Sequence, residues 1–343
     1  MTSSHMKKIA VAIALTAMAP SLYAQSDSIP SADSVAVPHP ALVKISVGTF
    51  RGAPAQSAEL ETQMLMGTPV QVDTIAGEWN RIALPEEGGN VWVNESAIQR
   101  LTPDQLDAWK QSDRHIVIWT MPVYMTTQPE SPHPGNIVTD LVFGDVLEAA
   151  PCGKKCDKHK STADKYIRLK TPDGRIGFVE SKYVITLTDW ISREPDVDSI
   201  LAYAEVMMGT PYLWGGTSAK MVDCSGFTSI CYMTGGGIRL PRNSRQQATT
   251  GIEVDFSDLA NIQRGDLIFF TNPETGNINH VGMAMGNDKI IHASGEVKVN
   301  SLDPTAPDYI NRPIKCVRRV LGHLGGKARR YADLPVYFNQ ESR

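Results

Sequence analysis

The sequence predicts a multidomain fold: two small all-β barrels built from one repeated module, followed by an α+β domain. Three observations point there. Short β-branched runs broken by Gly, Pro and Asn fill the first half of the chain. Two stretches of that half align with each other. After Asp189 the pattern changes to apolar residues at helical spacing and then to closely spaced apolar strands, the sequence of an α+β unit. A chain of 343 residues is long enough for this division.

The elements follow in order. Lys7-Lys8 precede an apolar run from Ile9 to Ala19, then Pro20 and "SLYA" ending at Ala24, with no acid before that point. This is the order of a secretory signal over residues 1–24, and the run is well short of the roughly 20 residues that span a bilayer. Residues 1–5 are set aside as vector residue or an upstream start. Leu22 departs from the small-residue preference at the cleavage site, and no cysteine follows closely enough for a lipid anchor. Export is expected, to a secreted or periplasmic location, with no stable membrane insertion once the signal is removed. Residues 25–41, "QSDSIPSADSVAVPHPA", are Ser- and Pro-rich and read as a linker.

The first β module is placed at 42–101, with runs "LVKISV", "TPVQVDTI", "WNRIAL" and "NVWV". The second is placed at 113–188. Trp79, Arg81, Pro85, Trp92 and Val93 fall against Tyr166, Arg168, Pro172, Phe178 and Val179, with one residue inserted in the first copy. Between them, "TPDQLDAWKQS" (102–112) predicts a short helix capped by Thr102. In the α+β domain, 195–325, Asp196 caps a helix carrying Ile200, Leu201, Ala204 and Met207 or Met208. A Gly/Trp loop, a helix from Cys224 to Met233 and a Gly235-Gly236-Gly237 stop follow. A short helix near Ser244–Thr250 and the strands "DLIFF", "HVGMAMG", "KIIHAS" and "IKCVRRV" complete it, leaving residues 326–343 as a tail.

The net charge of −4 gives no electrostatic footprint for nucleic acid. Five cysteines in an exported chain leave at least one thiol unpaired. Cys224 is the candidate, in "DCSGF". A thiol attacks an amide as thiolate, and an ordinary cysteine titrates near ~8.5. The first turn of a helix favours negative charge, and an imidazole within reach takes the proton as half of an ion pair. Only His280, His292 and His323 follow the second module. His280 opens "HVGMAMG" and His292 lies in "KIIHASG", separated by the turn "GNDK", Gly286 to Lys289. Hairpin strands set such residues side by side, one as base and the other as orienter. Read singly, Cys224 is a small core residue, as Cys231 and Cys316 are, and each histidine is structural.

"GTPYLWGGTSAKMVDCSGF", "LPRNSRQQA", "GDLIFF", "HVGMAMG" and "IIHASG" stand in the order and spacing of the NlpC/P60 family of cell-wall cysteine peptidases, which residues 196–325 resemble. The repeated modules resemble the bacterial SH3 units found ahead of that domain. The resemblance implies two SH3-like barrels followed by a papain-like α+β domain that cuts γ-D-glutamyl-diamino-acid bonds in peptidoglycan stem peptides or muropeptides. It implies Cys224 as nucleophile, His280 as general base, His292 as the polar orienter and Tyr212 beside the oxyanion. Asp223 and Ser225 are implied in binding the free amine of the substrate's L-Ala, and Asp223 also reads as a helix N-cap. Trp214 can wall the cleft. Where the family's first module supplies a tyrosine, this chain has Gly89 or Asn90 in "GGNVWV". Glu59, Glu61 or Glu95 is the acid left for that pocket.

"CGKKCDKH" sets Cys152, Cys156 and His159 together, but structural zinc takes four ligands. An optional Cys152–Cys156 disulfide in a surface insertion is the simpler reading, so neither metal nor cofactor is expected. Arg318-Arg319 and Arg329-Arg330 read as a solvated face. Met64, Met66, Met207, Met208, Met283 and Met285 read as core. A monomer is expected. Two rival functions are a non-catalytic wall-binding SH3-module protein and a thiol amidase or acyltransferase acting on another amide.

Overall fold

The computed structural model describes residues 38–84, 89–151 and 165–338. The export signal, most of the linker, Pro85 and the Cys152–Cys156–His159 cluster lie outside the described residues. Among those described, no helix is long and apolar enough to cross a membrane.

The first module has seven strands: β1 (His39–Val43), β2 (Val47–Arg51), β3 (Leu60–Leu65), β4 (Pro69–Ala76), β5 (Trp79–Leu84), β6 (Gly89–Asn94) and β7 (Ile98–Arg100). Helix α1 (Pro103–Gln111) follows. Thr102 accepts from the Gln105 N–H while Gln105 Oε1 accepts from the Thr102 N–H, a reciprocal capping box. The second module repeats the set as β8 (Arg114–Val117), β9 (Val123–Thr126), β10 (Ile137–Leu141), β11 (Val146–Ala149), β12 (Tyr166–Lys170), β13 (Ile176–Glu180) and β14 (Val184–Thr186).

The strand orders are β3-β2-β6-β5-β4-β1-β7 and β10-β9-β13-β12-β11-β8-β14, the same topology twice. Register agrees with the sequence alignment: Arg81 pairs with Trp92 and Arg168 with Phe178. The sheets are not the closed barrels expected, because each ladder keeps two edges. In the first module the β3 edge is covered by the third domain, so closure is not needed to hide its backbone groups.

The modules are locked together. Met66 sits in the core of the second module, and Asp145, fully buried, accepts from the N–H groups of Met66 and Val142. The first module keeps its own core around Phe50, Val72, Ile82 and Val93. Leu65, Trp109, Phe143 and Val146 join the largest apolar cluster, which is built on the third domain.

That domain follows α2 (Leu187–Ile191). Helix α3 (Val197–Val206) is capped by Asp196, and the short hairpin β15 (Thr217–Ser218) and β16 (Met221–Val222) precedes helix α4 (Cys224–Gly236). Gly237 ends α4 at φ 55°, a left-handed conformation that glycine enters without a Cβ penalty. Then come β17 (Ile238–Arg239), α5 (Ser244–Gln247) and β18 (Ile252–Val254). The remaining strands are β19 (Leu267–Thr271), β20 (Ile278–Gly286), β21 (Lys289–Ser294), β22 (Glu296–Ser301), β23 (Ile314–Arg319) and β24 (Arg329–Arg330). Six of them form one antiparallel sheet, β18-β23-β19-β20-β21-β22, with α4 packed on one face and α3 packed against α4. The β20–β21 turn is the two-residue type that suits strand twist, with Asn287 and Asp288 both near φ 50°.

Several expectations are corrected. Strand β22 adds an element beyond the four strands expected, with Val297 and Val299 alternating along it. Met208 is 48% exposed rather than core, because α3 ends at Val206 and turns it outward. The basic pairs are not simply solvated. Arg319 forks onto the buried Asp266, Arg318 pairs with Glu253, and Arg330 with Glu194. The C-terminal segment packs inward, with Tyr331 edge-on to Trp190 and Tyr337 against Trp109.

Candidate active site

The site is built on the first turn of α4. Asp223 has extended backbone, and its Oδ1 accepts from the Gly226 N–H at 2.7 Å, which fixes where the helix begins. Cys224 is therefore the first helical residue, 8% exposed. The backbone N–H groups of Val281 and Ser225 point at its sulfur. Val281 follows His280 on β20, so the thiol lies beside the peptide that carries the predicted base.

The two histidines do not stand directly opposite each other, as the hairpin reading supposed. The β20–β21 ladder registers from Gly286↔Lys289 to Met283↔Ile291, which puts His292 one step on, level with Gly282, and His280 on the diagonal. They still meet. His280 Nε2 lies 2.8 Å from His292 Nδ1, with the rings crossing at 86°. Gly282 makes room for this, because a Cβ there would stand 2.9 Å from the His292 Cβ and 2.6 Å from Ile290 Cδ1.

A further residue sets the direction of the chain. Asn300 on β22 donates from Nδ2 to the Asp308 carbonyl at 2.7 Å, which turns its Oδ1 toward His292 Nε2 at 2.8 Å. An amide oxygen only accepts, so His292 carries its proton on Nε2 and presents Nδ1 as an acceptor. His280 must then donate from Nε2. In a neutral imidazole the other nitrogen, Nδ1, is left with a lone pair. Among the described residues no hydrogen bond occupies that atom. Asn300 escaped the sequence reading because its strand did.

Burial dominates the electrostatics. Desolvation pushes the Cys224 thiol up to about 11, helped by the Asp223 carboxylate, while the two N–H groups and Arg242 pull the other way. Desolvation, then the neighbouring His292, Arg312 and Lys298, hold His280 down at about 3. His292 is lowered too, by burial first. Burial thus works against the charged form of each group, against the help that the helix terminus gives the thiolate. Tyr212 is raised to about 12 by burial and by the Cys224 and Asp223 charges, so its hydroxyl keeps its proton and donates.

Asp223 and Ser225 lie together as expected, but already engaged. Arg242 forks onto Asp223, with Nη2 2.6 Å from Oδ2 and Nη1 3.2 Å from Oδ1, and Nη1 also reaches Ser225 Oγ. Ser225 Oγ and the Gly215 N–H donate to the same carboxylate. Two oxygens thus accept from five donors, and a substrate ammonium reaching Asp223 must displace one of them. Arg242 lies in "LPRNSRQQA" but had drawn no separate role.

Arg242 Nε donates to Thr62 Oγ1 on β3, so the first module touches the site directly. Gln63 completes the seam: its Oε1 accepts from the Thr217 N–H and Ser218 Oγ, and its carbonyl from Thr217 Oγ1. A Cβ on Gly215 would meet the Leu60 carbonyl at 2.4 Å, and Gly215 sits at φ 80°, so only glycine fits. Trp214, beside it, is 60% exposed. Of the three candidate acids, Glu59 and Glu61 flank Leu60 on the exposed side of this strand, whereas Glu95 is paired with Arg100. Gly89 and Asn90 are exposed at the start of β6. Cys231 and Cys316 are free and buried, packed in the core. His323 is exposed in a loop. A cavity of about 570 Å³ opens between the modules behind α4, lined by Met64, Leu106, Trp190, Met233, Arg242 and Tyr337. Cys224, His280 and His292 are not among its lining residues. Among the described residues no three His, Cys, Asp or Glu side chains are grouped to hold a metal.

Residues 209–319 match the model of the NlpC/P60 family. The chain is 29% identical over 269 residues to a γ-D-glutamyl-L-lysine dipeptidyl-peptidase of Bacillus cereus, covering 74% of this chain and 73% of that one. It is 45% identical over 114 residues to a probable endopeptidase of Haemophilus influenzae, 33% of this chain and 67% of that one. An NlpC/P60 family structure from Bacillus cereus superposes with a TM-score of 0.65 at 23% identity, covering 82% of this chain and 99% of that one, which speaks for the fold. With the thiol, the paired imidazoles and these matches in view, the chain belongs to the NlpC/P60 family.

Proposed function

We propose that the protein is a cell-wall cysteine endopeptidase that hydrolyses the amide between γ-linked D-Glu and the following diamino acid in peptidoglycan stem peptides or muropeptides. One observation carries the mechanism: the hydrogen-bonded chain Asn300–His292–His280 ends at the residue next to Val281, whose N–H faces the Cys224 sulfur, and its direction leaves His280 Nδ1 as the acceptor. As Sγ bonds to the glutamyl γ-carbonyl carbon, His280 Nδ1 takes the thiol proton. The Tyr212 hydroxyl and the Cys224 N–H, free of any helical partner at the head of α4, stabilise the oxyanion. The imidazolium returns its proton to the departing amine as the C–N bond breaks, leaving a thioester. His280 then takes a proton from water as its oxygen bonds to the thioester carbon, the C–S bond breaks to release the glutamyl acid, and the imidazolium returns the proton to the sulfur. His292 is a neutral acceptor and steadies the imidazolium less than a carboxylate would, so its part is to fix ring and tautomer.

Thr62, Gln63 and Leu60 bring the first module to the edge of the Asp223 pocket, which favours short stem-peptide ends over long extended chains on that side. The basic, apolar and small-residue order of residues 1–24 supports action outside the cytoplasm, secreted or periplasmic. The test is Cys224→Ala. It should abolish release of L-Ala-γ-D-Glu from L-Ala-γ-D-Glu-diamino-acid peptides, read by mass spectrometry, with the circular dichroism spectrum unchanged. Retained turnover refutes the mechanism.

A further inference from the structure

We propose that Arg312 and Lys298 form a carboxylate-binding subsite on the leaving-group side, which reads a free carboxylate on the diamino residue released by cleavage. The proposal rests on the peptidase function above and adds to it a choice among substrates.

The two cations bracket the imidazole pair across the sheet. In the order β23-β19-β20-β21-β22, Lys298 on β22 is the register partner of His292 on β21. Lys298 therefore shares the face that carries His292 and Asn300. On the other flank, Arg312 stands two residues before Ile314. Ile314 pairs with Phe270, and Phe270 pairs on its far side with His280. The segment holding Arg312 crosses from one flank to the other: Asn300 Nδ2 holds the Asp308 carbonyl and the Ile310 N–H donates to the Ser301 carbonyl on the β22 side, and the Pro313 carbonyl accepts from the Thr271 N–H at 3.0 Å on the β19 side.

Neither cation has a hydrogen bond or ion pair from its side chain among the described residues. Their neighbours differ: Lys289 holds Asp308, Arg319 holds Asp266, and Arg242 holds Asp223. The side-chain charges felt at both histidines come from Arg312 and Lys298, and among the described residues no carboxylate is felt beside them. Arg312 is also one of the charges felt at Tyr212. Two uncompensated cations beside buried, neutral imidazoles repel any proton the base takes up, and an arriving anion relieves that repulsion. The acyl side of the substrate is bounded by Asp223, Gly215 and the first module. His280 hands its proton to the departing nitrogen, so the cations flanking the imidazoles face the departing residue. That residue offers a carboxylate in two ways. Its own α-carboxylate is free when it ends the stem, and a diaminopimelate residue carries a second one on its side chain.

The test compares kcat/KM for L-Ala-γ-D-Glu-L-Lys as free acid and as α-amide, and for the meso-diaminopimelate peptide as α-amide. Acid against amide isolates the α-carboxylate, and diaminopimelate against lysine, both amidated, isolates the second. A charge-assisted contact predicts a preference of about ten- to a hundred-fold for one carboxylate-bearing peptide, and Arg312→Met should collapse that ratio toward one. Equal rates on all three peptides, or a ratio that survives in both Arg312→Met and Lys298→Met, overturn the subsite while the peptidase stands. Should the wild type cleave none of them, the peptidase function falls instead. Binding of acid and amide to Cys224→Ala by calorimetry then decides the subsite, and equal affinity overturns it.

Discussion

Replacing Asn300 tests whether a residue that never touches substrate sets the protonation of the base. In Asn300→Leu the buried His292, 2% exposed, loses the acceptor for its Nε2–H. An unsatisfied buried donor costs about 1–3 kcal/mol. His292 avoids that cost by moving its proton to Nδ1, which then donates to His280 Nε2. The His280 proton is thereby forced onto Nδ1, the atom meant to accept from Cys224. A preference of about 1–1.5 kcal/mol lost from the productive tautomer lowers its population roughly tenfold. The expected result is a roughly tenfold fall in kcat with KM little changed, on any γ-glutamyl peptide the wild type cleaves. Asn300→Asp supplies the opposite control. A carboxylate still accepts from His292 although it gives up the bond to the Asp308 carbonyl, so kcat falls less than in Asn300→Leu, and its charge raises both imidazoles and moves the acid limb of kcat/KM to higher pH. Nitrogen-15 shifts of the two rings report the tautomer directly. Unchanged kcat and unchanged ring shifts in Asn300→Leu would refute the directed chain.

Three further outcomes follow from the same geometry. Gly282→Ala should displace His292 and lower kcat/KM by about ten- to a hundred-fold, since misplacement by about 1 Å costs that much, with the spectrum of the folded chain unchanged; wild-type activity would show that the diagonal contact does not matter. Arg242→Met leaves the Asp223 carboxylate buried with part of its donors and should destabilise the catalytic domain by about 3 kcal/mol in urea unfolding, whereas pairing it with Asp223→Asn should recover most of the loss; strictly additive effects would argue against the fork. The His280 imidazole, held at about 3 against an ordinary 6.5, takes its proton more readily unfolded than folded. Its contribution to stability is complete above about pH 6.5 and drains away as pH falls toward about 3, so His280→Gln should flatten the acid dependence of the urea midpoint, and a parallel dependence in both proteins would contradict the assignment.

Local rules made much of the architecture legible. Thr102, Asp196 and Asp223 announce helix starts through their own side chains, Gly237 a helix end, and Asn287-Asp288 a hairpin turn, because these preferences act within a few residues. The repeat was equally visible, since one module folded twice must place its aromatic and β-branched residues at matching strand positions, as Arg81–Trp92 and Arg168–Phe178 do. Cys224, His280 and His292 could be named as candidates from their place on predicted elements.

What the sequence alone determined, then, was the set of elements and the reactive atoms they present. Tertiary structure decided which atoms meet and with what charge. Asn300 reaches His292 only because β22 adds beside β21, Arg242 finds Asp223 across the domain and Thr62 across the module seam, and the edge of β3 is covered by a hairpin lying more than 150 positions further along the chain. Burial, a property of the packed whole, pushes the thiol up and the imidazole down, against the helix terminus that the local sequence supplied. Desolvation and long-range contact depend on chain segments that no short window contains, which is the physical reason they waited for the fold.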